Sequence, residues 1–189
     1  MTRLLLILIL TLNFQALTRA ADIRNFEIEG MSVGDSALNY FSKEEIESNK
    51  SFIYPNSKKF YSVTFRDINL EVYDGIQFHL KKDDKKYIIY DITGQIYYSD
   101  ENIDECFKKK DEIFNEISTM FPDAKKKDFG KTKHYNDPTT ILSRAIIKLN
   151  EGRIDVVCYD WGDYDAKDGL GVGVELQEFR YFINNEAYD

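Results

Sequence analysis

From Tyr87 to Phe121 the chain reads YIIYDITGQIYYSDENIDECFKKKDEIFNEISTMF, and this stretch constrains the fold more than any other. Ile103, Cys106, Phe107, Ile113, Phe114, Ile117, Met120 and Phe121 recur at three- and four-residue steps, one apolar stripe at helical period. Lys108, Lys109, Asp111, Glu112 and Glu116 fall mostly outside the stripe and should face water. Ser99 or Asn102 is placed to cap the first turn. Asp100, Glu101, Asp104 and Glu105 put negative charge where the helix dipole is positive, and Pro122 ends the helix. Upstream, residues 87–92 and 96–98 are aromatic and β-branched, as a strand requires, and Gly94 between them marks a bulge or a tight turn.

The first twenty residues read as an export signal. Arg3 gives a short positive start, Leu4 to Leu12 is almost wholly apolar, and Thr18-Arg19-Ala20 offers small residues at a cleavage site. The apolar run falls short of the roughly 20 residues that span a bilayer. The expected organisation is a signal peptide over residues 1–20 and one α+β domain over 21–189, in the periplasm or secreted. Removing Arg3 and Arg19 from 25 basic residues leaves 23 against 33 acidic ones, a net charge of −10. Such a surface repels nucleic acid and anionic headgroups, which argues against a nucleic-acid partner and against stable membrane insertion after cleavage.

The two cysteines suit an exported chain. Cys106 lies on the apolar stripe, and Cys158 shares a strand face with Ile154 and Val156. Both thiols should point into the core, where an oxidising compartment lets them pair; the alternative is two separate buried thiols. Pairing would stabilise the fold by about 4 kcal/mol in the chain-entropy model.

Along the chain, residues 22–29 read as a short extended arm. Gly34-Asp35-Ser36 invites comparison with GDSL hydrolases, but Ala37 stands where that family has Leu, and no histidine lies near the C-terminus. Asp35 or Ser36 as the cap of a short helix, followed by a Ser42–Glu45 capping box, explains the same residues. Residues 50–59 read as a polar connection whose Asn49-Lys50-Ser51 is a chance-level glycosylation sequon. Period-two alternation then predicts strands over 60–65 and around Ile76, Phe78 and Leu80, with Gln77, His79 and Lys81 facing solvent. Lys82–Lys86 forms a charged hairpin tip. The first half therefore reads as a small helix, three antiparallel strands and the long helix across them.

Residues 122–138 break the pattern. Lys125, Lys126, Lys127, Lys131 and Lys133 make this either a basic patch for an anionic partner or a solvated connection. A hairpin over 141–149 and 153–161 follows, turning at Asn150-Glu151-Gly152. Asp160, Asp163, Asp165 and Asp168 then offer carboxylates to Ca²⁺ or to acid–base chemistry, although the spacing is not that of an EF-hand loop and an acidic turn accounts for them too. Gly171 to Leu176 continues as a strand with one bare face, and Phe179, Phe182, Ile183 and Ala187 predict a short closing helix.

The segments LNFQALTRAADIRNFEIEGMSVGDSALNYFSKEEI and YDGIQFHLKKDDKKYIIYDITGQIYYSDENIDECFKKKDEI resemble a family of small uncharacterised exported proteins from AT-rich bacterial genomes. The resemblance covers about the first two-thirds and is most specific at GMSVGDS and ITGQIYY…C. It implies a periplasmic address and adds no catalytic residue. Because no nucleophile–base pair or metal cluster can be assembled from the sequence, the function expected is a non-catalytic binding or envelope-interaction domain without a cofactor, meeting an envelope protein or a small molecule. The rival is a hydrolase-like or calcium-binding protein that uses the Asp160–Asp168 loop.

Overall fold

The computed structural model describes residues 22–55, 59–66, 68–135, 137–162 and 166–188. The apolar leader, Asp163 and Asp165 lie outside them. Eight strands form one antiparallel sheet in the order β1-β2-β3-β4-β8-β7-β6-β5. They are β1 Lys50–Ile53, β2 Phe60–Arg66, β3 Gly75–Lys81, β4 Ile89–Tyr97, β5 Lys125–Lys133, β6 Ile141–Leu149, β7 Gly152–Asp160 and β8 Gly169–Leu176. The helices are α1 Lys43–Ser48, α2 Ile103–Met120 and α3 Gln177–Asn185. The fold is α+β with the sheet dominant. Two four-stranded meanders, each preceded by a helix, meet where their last strands pair, with Ile92 opposite Val174. This doubling is topological and left no mark as a sequence repeat.

The predicted long helix is α2. It packs on β6, β7 and β8 and buries Cys106, Phe107, Lys110 and Ile117. Cys106 is disulfide-bonded to Cys158 of β7, as one of the two sequence readings expected. Met120, expected in the stripe, is exposed. Lys110 takes an interior place instead at 1 % exposure, its ammonium bonded to Asp111 at 2.6 Å and Asp128 at 2.8 Å. A lysine is tolerated there because both carboxylates meet its charge. Neither Ser99 nor Asn102 caps the backbone; Asn102 Nδ2 donates to Ser99 Oγ instead.

The N-terminal readings hold in part. Ser36 caps a 3₁₀ turn at Ala37–Asn39 while its hydroxyl donates to the Lys86 carbonyl, and Ser42 with Glu45 forms the expected capping box at α1. The arm is not extended: Ile23–Asn25 is a 3₁₀ turn capped by Asp22, and Ile23, Phe26 and Ile28 are buried. Burial of these apolar groups folds the arm back onto the core.

Four strand readings are corrected. Residues 50–53 are not a connection but β1, a fourth strand of the first half. Gly94 is neither bulge nor turn: β4 runs straight through it, paired with Ile76 and Val172. Its missing side chain makes room for Tyr73, since a Cβ there would sit 2.6 Å from that ring. The lysine-rich segment is an edge strand, β5, exposed at every position and interrupted by a bulge between Asp128 and Lys131. An edge strand needs no apolar alternation, and lysines discourage pairing with another chain. His79 is 7 % exposed, because α3 lies over its face of the sheet.

Candidate functional site

β8 reads Gly-Leu-Gly-Val-Gly-Val-Glu, and successive side chains of a strand point to opposite faces. Leu170, Val172 and Val174 enter the core beneath α2. Gly169, Gly171 and Gly173 therefore face the other way and leave that side of a central strand bare. The register sets Asp91, Thr93, Gln95 and Tyr97 of β4 along one flank, and Arg153, Asp155, Val157 and Tyr159 of β7 along the other. The result is a trough of about 500 Å³. Its floor from Gly169 to Glu175 spans about 20 Å, and its flanking strands lie two strand spacings, about 9.5 Å, apart. α3 covers the neighbouring part of this face through Phe179 and Phe182, which pack on Phe60 and Tyr54, and so closes one end with Arg180.

The three glycines are not equivalent. A Cβ at Gly169 would stand 2.8 Å from the Ile96 carbonyl oxygen, and one at Gly173 would stand 2.5 Å from Thr93 Oγ1. At Gly171 the nearest atoms are Val157 Cγ1 at 3.4 Å and Thr93 Cγ2 at 3.6 Å, ordinary contact. Gly171 thus has room for a side chain in a strand where glycine is unfavourable by about 0.5–1 kcal/mol. Nothing in the packing of the fold accounts for it.

One end of the trough is charged. Asp155 Oδ1 accepts from Arg144 Nε at 2.6 Å, and Arg153 Nε lies 2.5 Å from both Asp155 Oδ2 and Glu175 Oε1. The Arg153 N–H is squarely aimed at neither, so among the described residues Arg153 Nε and Glu175 Oε1 lack a well-directed hydrogen bond. Burial pushes the Glu175 carboxyl up to about 7; Arg153 opposes the shift, and Asp91 and Asp155 add to it. Burial and the nearby Arg153 pull Arg180 below its ordinary value. Asp91 is held from behind: His79 Nδ1 meets its carboxylate at 2.6 Å, and His79 Nε2 meets the Tyr54 hydroxyl at 3.0 Å. With Phe179 stacked on its ring at 4.3 Å, His79 is a buttress under α3, not a solvent-facing group.

The other end is aromatic. Tyr159 and Trp161 stack with centroids 4.8 Å apart and planes 3° apart. Tyr97 donates its hydroxyl to Gln95 Oε1 at 3.0 Å, and Lys167 Nζ sits 4.9 Å from the Tyr97 ring centroid. The platform joins polar tips to broad apolar faces.

Of the sequence-predicted sites, Cys106 and Cys158 are joined. Asp160 ends β7 opposite Ile141, on the helix-facing side. Asp168 Oδ1 accepts the Trp161 N–H at 2.7 Å, so that carboxylate oxygen is engaged by the backbone. Asp163 and Asp165 fall outside the described residues, among which no group of three or more His, Cys, Asp or Glu could hold a metal ion. The five lysines do not share a face: Lys125 and Lys127 take the trough side of β5, and Lys126, Lys131 and Lys133 the helix side. The trough residues Arg144, Arg153, Glu175 and Arg180 were not singled out in the sequence. The signal was the face opposite Ile154, Val156 and Cys158, which carries Arg153, Asp155 and Tyr159 beside Val157. Among the described residues no helix is long and apolar enough to cross a membrane. No family model matches the chain, and no curated protein or solved structure is significantly similar to it.

Proposed function

We propose that this chain is an exported, non-catalytic binding protein whose ligand lies in the trough over β8. The observation that carries the reading is Gly171, an omitted side chain at mid-floor that neither backbone conformation nor packing requires. Polar groups of both signs and the rings of Tyr97, Tyr159 and Trp161 converge on the space left open, so a ligand there meets hydrogen-bonding and apolar partners together. The apolar leader and the Cys106–Cys158 bond support an address outside the reducing cytosol.

Thermal unfolding in the presence of a small-molecule extract from the cells that make the protein tests this. The wild type is expected to gain stability, as any ligand bound to the native state alone confers. Gly171→Leu, which fills the floor, is expected to gain none, and Gly171→Ala to gain less than the wild type. Equal gains for all three would place the ligand elsewhere.

A further inference from the structure

We propose that the trough takes a neutral, linear chain of hydroxylated rings: an oligosaccharide strand. This rests on the trough being the binding site and names the chemistry it selects. Shape comes first. A floor of about 20 Å between flanks about 9.5 Å apart suits an elongated ligand one ring wide better than a compact one.

The floor also bars one class of linear ligand from its usual mode of recognition. β8 is a central strand whose backbone is paired on both edges, with β4 through Asp91–Tyr97 and with β7 through Gly152–Tyr159. An extended peptide finds no free strand edge there, so side chains must do the recognising.

Those side chains are paired in a telling way. Arg144, Asp155, Arg153 and Glu175 form a chain of contacting opposite charges, so donors and acceptors alternate along the charged end while its acids and bases largely cancel. A hydroxyl both donates and accepts, and two adjacent hydroxyls match a guanidinium beside a carboxylate without needing a free charge. Glu175, 8 % exposed, lines the trough with its Oε1 packed against Arg153, so a ligand hydroxyl meets the pair as a whole. A strongly ionic ligand would instead have to break these pairs. At the far end the trough is lined by Tyr97, Tyr159 and Trp161, aromatic side chains of the kind on which the apolar face of a sugar ring packs.

Trp161 is the only tryptophan in the chain, so its fluorescence reports on that end of the trough. The full chain would be titrated with cellohexaose, maltohexaose and chitohexaose, with hexagalacturonate and hexa-alanine as anionic and peptide comparators, and each positive checked by calorimetry. The expected result is saturable binding of at least one neutral hexasaccharide, little changed by added salt and weaker for its disaccharide. Gly171→Leu and Glu175→Gln are each expected to weaken it by about tenfold or more, with circular dichroism confirming that both variants fold. Should Gly171→Leu misfold, Gly171→Ala carries the same test with a smaller loss. Preference for hexagalacturonate with steep salt dependence, preference for the peptide, or no neutral sugar bound at millimolar concentration each overturns the proposal. If a sugar fails while extract still stabilises the wild type in a Gly171-dependent way, the ligand class is wrong and the binding site stands. If both fail, both are wrong.

Discussion

The two faces of β8 do opposite things. Toward α2 the strand presents Leu170, Val172 and Val174, each nearly solvent-free within the core. Toward the other side it presents the α-carbons of Gly169, Gly171 and Gly173, with Glu175 at the end. One strand thus completes a dry core on one side and leaves space on the other. Alternation alone explains the first face, since a sheet under a helix must be apolar. It does not explain Gly171 on the second face, where a Cβ has room and serine or threonine would serve solvation equally well and fit the strand better.

Disulfide loss should expose the sharpest contrast. Cys106→Ser with Cys158→Ser is expected to lower stability by about 4 kcal/mol, because the link closes 52 residues between α2 and β7. It lies on the core side, so stability in denaturant should fall while ligand-dependent stabilisation per mole of folded protein stays. A loss of binding in the folded variant would show that the two faces are coupled.

Truncation of neighbouring residues comes next. Leu170→Ala, on the core face, is expected to cost about 2–5 kcal/mol in denaturant unfolding through lost burial and a residual cavity. A much smaller cost would mean that the core face is no better packed than the trough.

Glu175 makes the trough visible in the pH profile. Its folded carboxyl titrates near 7 against 4.5 unfolded, so the native state holds more protons between those values. Stability from this group is therefore full below pH 4.5 and is lost as pH rises through about 7, with a slope of up to about 1.4 kcal/mol per pH unit. Glu175→Gln is expected to remove that component, which parallel unfolding curves from pH 4 to 8 would reveal. An unchanged slope would mean the carboxyl is not held in this buried setting.

The smallest change has the opposite sign. Gly171→Ala, one residue from Leu170, is expected to raise stability by about 0.5–1 kcal/mol, because Cβ has room and the unfolded chain loses freedom. A destabilised alanine variant would return Gly171 to the ordinary demands of packing.

What the sequence made legible follows from the range over which each feature is set. α2, the β6–β7 hairpin, α3 and the capping box at α1 are local patterns, and they were readable. Pairing of the cysteines was readable as one alternative because both lay on apolar faces. The edge strands β1 and β5 were not, since an edge carries little of the alternation that marks a buried strand. His79 was misplaced because its cover, α3, comes about 100 residues later in the chain. The trough was invisible as a unit: β4, β7 and β8 supply it, and the β4–β8 pairing joins the two meanders across residues 98–168. Only the bare face of β8 could be seen, and it was seen without its flanks.

The most direct measurement is native mass spectrometry of the wild type and Gly171→Leu, each purified intact from the cells that naturally make the protein. The expected result is a mass two hydrogens below the reduced chain for both, reporting the Cys106–Cys158 bond, with a bound organic species on the wild type alone. The same species at equal occupancy on both, or on neither, would contradict the trough as the ligand site.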